Sequence, residues 1–191
     1  MAAWELMRAP EPPLTISVNL SAKQFMQSNL TDQIEAILRE TGLPASGLKL
    51  EITESTIIEN VESVSARLLR LKDIGVQLAI DDFGTGYSSL SYLHRLPIDS
   101  LKIDKSFIHS MGKGKDSTQI VRAIIGLAHN LGLDVIAEGV ETEEQRAQLA
   151  EWGCEFGQGF LFSKPRHSEF ARTLIMPRRS EIAIYGRTRI G

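Results

Sequence analysis

An α/β fold, a parallel sheet wrapped by helices, is predicted by three observations. Apolar runs of strand length alternate with stretches whose apolar residues recur at helical spacing, and six such strand segments follow one another between Leu14 and Ser163. Acidic and amide residues stand at the ends of those segments. With 42% hydrophobic and 24% charged residues in 191, the chain has the make-up of one globular domain with a sizeable core.

In order, residues 1–13 contain Trp4, Leu6 and Met7 and then Pro10, Pro12 and Pro13, the pattern of a helix end and a stiff connector. Residues 14–175 form the domain proper. It opens with a strand over Leu14–Leu20, where Ile16 and Val18 share one face and Ser17, Asn19 and Ser21 the other. A helix over Asn29–Glu40 carries Leu30, Ile34, Ile37 and Leu38 at helical spacing and stops at Gly42 and Pro44. The unit then repeats, with a strand over Leu48–Thr53 and a helix over Val61–Lys72 whose stripe is Val61, Val64, Leu68 and Leu71.

The central strand, Val76–Ile80, runs into Asp81 and Asp82, followed by Gly84 and Gly86. Ser88–His94 reads as a short helix ended before Pro97, and Ser100–Asp104 as the next strand. Ser117–Leu131 is a helix with Ile120, Ile124, Leu127 and Leu131 on its stripe, and Asp134–Ala137 is a strand. Thr142 and Gln145 form a capping box opening a helix to Trp152, and Gln158–Ser163 is the last strand before Pro165. Residues 176–191, with four arginines, are a peripheral basic tail.

The phase of the strands points to a barrel. Leu48, Leu50 and Ile52 oppose Lys49, Glu51 and Thr53; Leu101 and Ile103 oppose Lys102 and Asp104; Asp134, Ile136 and Glu138 share a face. A parallel sheet covered on both sides should be apolar on both. Polar strand ends that all turn one way fit the carboxyl-end mouth of a barrel, where active sites of that architecture sit. Asn19, Glu51, Asp81, Asp82, Asp104 and Glu138 converge there, with Lys102.

Two adjacent carboxylates repel, and a shared proton, a basic partner or a divalent cation must offset that. Oxygen donors in this number suit Mg²⁺ or Mn²⁺ rather than zinc, and a pair of such ions suits phosphodiester hydrolysis, with Lys102 positioning water or offsetting phosphate charge. A formal net charge of −3 argues against DNA as a partner. One cysteine, Cys154, allows no internal disulfide, and with neither an apolar run of about 18 residues nor a signal-peptide pattern the expected location is the cytoplasm. His94, His109, His129 and His167 do not cluster in sequence and read as surface or packing residues.

Six motifs stand in order: SVNLS (17–21), LEITES (50–55), IDDFGTGYSSL (80–90), LKIDKSFI (101–108), VIAEGVET (135–142) and QGFLFSKP (158–165). Through them the chain resembles the EAL-domain cyclic di-GMP phosphodiesterases from about Leu14 to Pro165. The resemblance implies a modified (β/α)₈ TIM-barrel-like fold with its first strand antiparallel, and hydrolysis of cyclic di-GMP to linear pGpG in bacterial signalling with two Mg²⁺ or Mn²⁺ ions. It assigns Asn19, Glu51 and Asp81 to the first ion, and Asp81, Asp82 and Glu138 to the second, with Asp104 close by. Lys102 takes the place of the residue that contacts the hydrolytic water. Glu54 and Glu141 hold the DDFGTGYSS loop and the site in order, and Gln158 lies near the dinucleotide. The loop implies a homodimer, its glycines serving as hinges. A longer parent would carry an upstream sensor or GGDEF domain and could be membrane-anchored.

The name-giving Glu-Ala-Leu of the family is not in the chain, and Glu5-Leu6 is no substitute for it. The expected barrel is therefore incomplete, with about six βα units and the first two strands missing. Its open edges are left exposed or are covered by a partner, by residues 1–13 or by the tail. Activity is expected to be impaired; the alternative is a catalytically inactive EAL-like cyclic di-GMP receptor or protein-interaction module. A Schiff-base lyase built on Lys102 is disfavoured by Asp104 on the same face.

Overall fold

The computed structural model describes residues 14–58, 61–86, 93–112, 115–167 and 188–189. These fall into two compact units, one holding the chain up to Ile80 and Gly86–Asp99, the other Asp81–Thr85 and the chain from Ser100 onward. Each is built from parallel strands and the helices that follow them, the α/β class expected.

In the first unit β1 (Ile16–Leu20) pairs in parallel with β2 (Leu48–Thr53), which sets Asn19 opposite Glu51. Between them α1 (Ala22–Phe25) starts with a reciprocal cap. Ser21 Oγ accepts from the Gln24 N–H at 3.3 Å, and Gln24 Oε1 accepts from the Ser21 N–H at 3.1 Å. Next, α2 (Leu30–Thr41) buries Leu30, Ile34 and Leu38 and ends on left-handed Gly42, whose N–H bonds Leu38 O. Ile37, expected on the buried stripe, lies outside it at 56% exposure. Similarly, Ile16 and Val18 are each 41% exposed, so the alternation of β1 does not become burial until Leu20. Alternation separates two faces, but only a covering element buries one of them.

After β2 come α3 (Glu54–Ile58) and α4 (Val61–Ile74), with Val64, Leu68 and Leu71 buried as expected; the Val61 side chain lies outside the described residues. The next strand, β3 (Gln77–Phe83), passes from the first unit into the second at Asp81. It runs through both aspartates instead of ending before them, which corrects the expected end at Ile80. Asp99 clamps its start: Oδ2 accepts the Leu78 N–H and Oδ1 meets Lys72 Nζ, each at 2.8 Å, while the Asp99 N–H donates to Leu78 O at 2.9 Å.

In the second unit β4 (Ser100–Ile103), β5 (Asp134–Glu138) and β6 (Phe156–Gln158) pair in parallel in that order, and β7 (Thr188–Arg189) pairs antiparallel with β6. Two residues of the expected peripheral tail therefore lie along the β6 edge. The helices are α5 (Lys105–Ser110), α6 (Lys115–Asn130) and α7 (Glu143–Glu151); α7 carries the expected Thr142/Gln145 capping box. The buried stripe of α6 is Val121, Ile124, Ile125 and Ala128, and Ile120 is exposed, so the expected stripe is rotated.

The last strand was expected over Gln158–Ser163; it spans Phe156–Gln158 and then turns. The reason is Gly159, whose carbonyl accepts from the Phe162 and Ser163 N–H groups at 3.1 and 3.2 Å. A Cβ on Gly159 would lie 2.2 Å from Val140 O, so only glycine lets the chain turn this close to Val140. The expected helix over Ser88–His94 falls mostly on residues outside those described, as do the expectations for residues 1–13. No helix among the described residues is long and apolar enough to cross a membrane.

Candidate active site

Strand alternation alone would put Asp81 and Asp82 on opposite faces of β3. Asp82, however, has φ of 53°, the only non-glycine residue with positive φ among the described residues. Aspartate is one of the few side chains that tolerate this left-handed geometry. Its N–H donates to Asp81 Oδ1 at 3.0 Å, and its carbonyl accepts from the Thr85 hydroxyl at 2.8 Å. Gly84 continues the turn at φ 95°, where a Cβ would come within 2.9 Å of the Phe107 ring. The twist brings the carboxylates of Asp81, Asp82 and Glu138 together, with one oxygen from each lying within 4.8 Å of the others.

Lys102 reaches this group from β4. Its register partner on β5 is Ile136, two residues before Glu138, and its stem spans that offset. It is 2% exposed, and its Nζ lies 2.8 Å from Asp81 Oδ1 and 2.6 Å from Glu138 Oε1. A buried ammonium needs such partners, because the desolvation of an unpaired one would be prohibitive.

Asp82 and Asp104 are pushed in opposite directions. Burial raises the Asp82 carboxyl above its ordinary value, and repulsion from Asp81 and Asp104 adds to this while Lys102 opposes it. Burial also works to raise Asp104. It is outweighed by the Ser106 hydroxyl and N–H, which both donate to Oδ1, so Asp104 ends lowered. Asp104 caps the N-terminus of α5, a role that sequence reasoning missed although an Asp-Lys-Ser start signals it.

Of the other expected site residues, Gln158 sits opposite Glu138 in the β5–β6 register, its carbonyl accepting the Val140 N–H at 3.0 Å. Glu141 lies 3.4 Å from His109 Nε2, and its N–H donates to Gln145 Oε1 at 2.8 Å. His109 therefore faces a carboxylate, a contact that sequence spacing did not suggest. In the first unit Glu51 is buried opposite Asn19, and Glu54, 1% exposed, opens α3. A Cβ on Gly86 would meet the Glu54 carboxyl carbon at 3.5 Å, so the glycine end of the DDFGTG segment rests on that carboxylate. Tyr87, Ser88 and Ser89 of the same loop lie outside the described residues.

The Asp81, Asp82 and Glu138 group offers oxygen ligands, with neither His nor Cys among them, the donor set of a hard divalent cation. Burial raises Asp82 first and repulsion from Asp81 adds to it, and that repulsion is what such a cation would relieve.

A family model described as the EAL domain matches residues 1–165. The cyclic di-GMP phosphodiesterase NbdA of Pseudomonas aeruginosa is 47% identical over 152 residues, 80% of this chain and 19% of that protein. The structure of the P. aeruginosa MucR phosphodiesterase in complex with c-di-GMP superimposes with a TM-score of 0.82 at 44% identity, covering 85% of this chain and 66% of that one. The Klebsiella pneumoniae BlrP1 complex with manganese and cyclic di-GMP gives a TM-score of 0.73 at 33% identity, covering 79% of this chain and 39% of that one. The chain spans between 19% and 26% of the length of the curated relatives it matches.

Proposed function

Because the chain belongs to the EAL domain family, we propose that it hydrolyses cyclic di-GMP to linear pGpG, using two divalent cations, Mg²⁺ or Mn²⁺. The observation that carries this reading is the grouping of Asp81, Asp82 and Glu138 within 4.8 Å around the ammonium of Lys102. The c-di-GMP held by MucR and the manganese held by BlrP1 support it.

Asp81, Asp82 and Glu138 would hold one ion, with Asp104 near it. Asn19 and Glu51, neighbours on β1 and β2, are assigned to the other by the family resemblance. The chemistry that ions held by these residues would supply is Lewis-acid polarisation of the phosphodiester and activation of water. Lys102, between Asp81 and Glu138, offers an N–H to orient the attacking water and to balance charge on the phosphate. Glu54, against Gly86, and Glu141 hold the loop and the rim in place, and Gln158 binds the dinucleotide. The DDFGTGYSS loop would form a homodimer contact, and the chain would work as a cytoplasmic signalling domain beside a sensor or GGDEF domain.

With no Glu-Ala-Leu tripeptide among its 191 residues, turnover is expected to be slow. The test is incubation of the chain with cyclic di-GMP and Mn²⁺, with the linear product followed by chromatography. Product from the wild type and none from Asp81→Asn supports hydrolysis. Tight binding with no product from any variant would instead assign the chain a receptor role.

A further inference from the structure

Two donors of one residue meet the carboxylate of Asp104. Its Oδ1 accepts from the Ser106 N–H at 2.9 Å and from the Ser106 hydroxyl. Asp104 follows Ile103, whose register partner is Ala137, the residue before Glu138, so the end of β4 brings it alongside a site strand. Held in this way, the carboxylate still acts on the site: Asp82 is raised first by burial, then by Asp81 and Asp104, and a side-chain hydrogen bond with Asp104 adds to the effect. A short carboxylate repelled by such neighbours has another partner available in Lys105, an exposed residue whose charge it feels. The cap of α5 needs only the Ser106 N–H. The hydroxyl is therefore surplus to the helix, and on an exposed residue it could bond water at no cost. Its engagement with Asp104 fixes a side chain that the helix start alone would leave free to turn.

We propose that Ser106 is a positioning residue for a divalent cation, its hydroxyl holding the Asp104 carboxylate turned to the Asp81, Asp82 and Glu138 group. The proposal rests on the cation reading above and deepens it: three carboxylates form the group, and Ser106 decides whether a fourth reaches the ion. Both of its hydrogen bonds end on Oδ1, so they orient the carboxylate without engaging Oδ2. Hydrogen-bond partners of metal-binding side chains set the direction of the ligand atom, and losing one costs about 10–100-fold in metal affinity. Ser106 makes no contact with substrate and acts through Asp104 alone.

The test is titration of the chain with Mn²⁺, the free ion followed by its electron paramagnetic resonance signal. It compares wild type, Ser106→Ala, Ser106→Thr, Asp104→Ala and the Ser106→Ala, Asp104→Ala double variant. Positioning predicts that Ser106→Ala weakens Mn²⁺ binding roughly tenfold or more, that Ser106→Thr restores it, and that Ser106→Ala has no further effect once Asp104 is alanine. Ser106→Ala keeps the capping N–H, so its metal-free thermal unfolding curve should coincide with that of wild type. An affinity in Ser106→Ala within about twofold of wild type overturns the role of Ser106 while leaving the cation reading intact. An equal loss in the Asp104→Ala background also overturns it, because the hydroxyl would then act through another group. If Asp104→Ala fails to fold without its cap, the other two variants decide: a loss that Ser106→Thr does not restore overturns the proposal. A wild type that binds no Mn²⁺ overturns the cation reading itself.

Discussion

Lys102 Nζ lies 2.6 Å from Glu138 Oε1, at the bottom of a site where three carboxylates crowd one another. Without a bound cation this ammonium is the principal charge that offsets them. Lys102→Met keeps the length of the stem and removes the charge, taking the ammonium away from Asp81 and Glu138 in a mostly buried setting. Breaking one side of a buried pair costs about 3–5 kcal/mol. The metal-free variant should therefore unfold at lower temperature than wild type, and Mn²⁺ should raise its Tm by more than it raises that of wild type. Equal shifts with Mn²⁺ would separate Lys102 from the cation site.

Asp82 should destabilise the metal-free protein at neutral pH. Its folded carboxyl is raised above the unfolded value of 3.8, first by burial and then by Asp81 and Asp104. A raised group favours folding fully below its unfolded pKa, and that contribution is lost as the pH rises through the folded pKa. Asp82→Asn keeps a side chain that tolerates positive φ and removes the titration. The variant should be more stable than wild type at pH 7 without metal, with the difference vanishing near pH 3. Wild type and variant denaturation curves at the two pH values decide it.

The sequence made the repeating strand and helix units and the polar strand ends legible, because periodicity and capping chemistry are local. Ser21 with Gln24 and Thr142 with Gln145 show how a cap is written in four residues. The stripe of α6 was misplaced for a different reason. Ile120, Val121, Ile124, Ile125 and Ala128 allow more than one apolar face, and the neighbour that chooses among them is distant in sequence. The turn at Gly159 was hidden in the apolar run that follows it, and its cause is the approach to Val140, a tertiary contact. The meeting of Asp81 and Asp82 likewise depends on a backbone twist at Asp82 that contradicts strand alternation.

Two glycines should respond oppositely to alanine. At Gly159 a Cβ would lie within 2.3 Å of the Val140 backbone, which cannot move aside as a flexible side chain could. Gly159→Ala should lose about 3 kcal/mol or more in urea unfolding. Gly126, inside α6, has nothing within 4 Å of its Cβ direction. Gly126→Ala should gain about 0.5–1 kcal/mol through helix propensity. Identical effects at both sites would contradict the packing described around Val140.

Cys154 should be chemically silent in the native protein. It is buried at 2% exposure, its Sγ faces Val135 O at 3.7 Å and Phe156 O at 3.4 Å, and burial pushes its thiol up to about 12. The thiolate is the reactive form, so at pH 8 the native chain holds almost none of it. A thiol-specific disulfide reagent should label Cys154 only as fast as the chain opens, and the rate should rise in step with urea. Cys154→Ser should destabilise, because it replaces a small apolar side chain by a hydroxyl at a position only 2% exposed. Rapid labelling in native buffer would show that the β5–β6 region opens readily, against the close β5–β6 pairing found there.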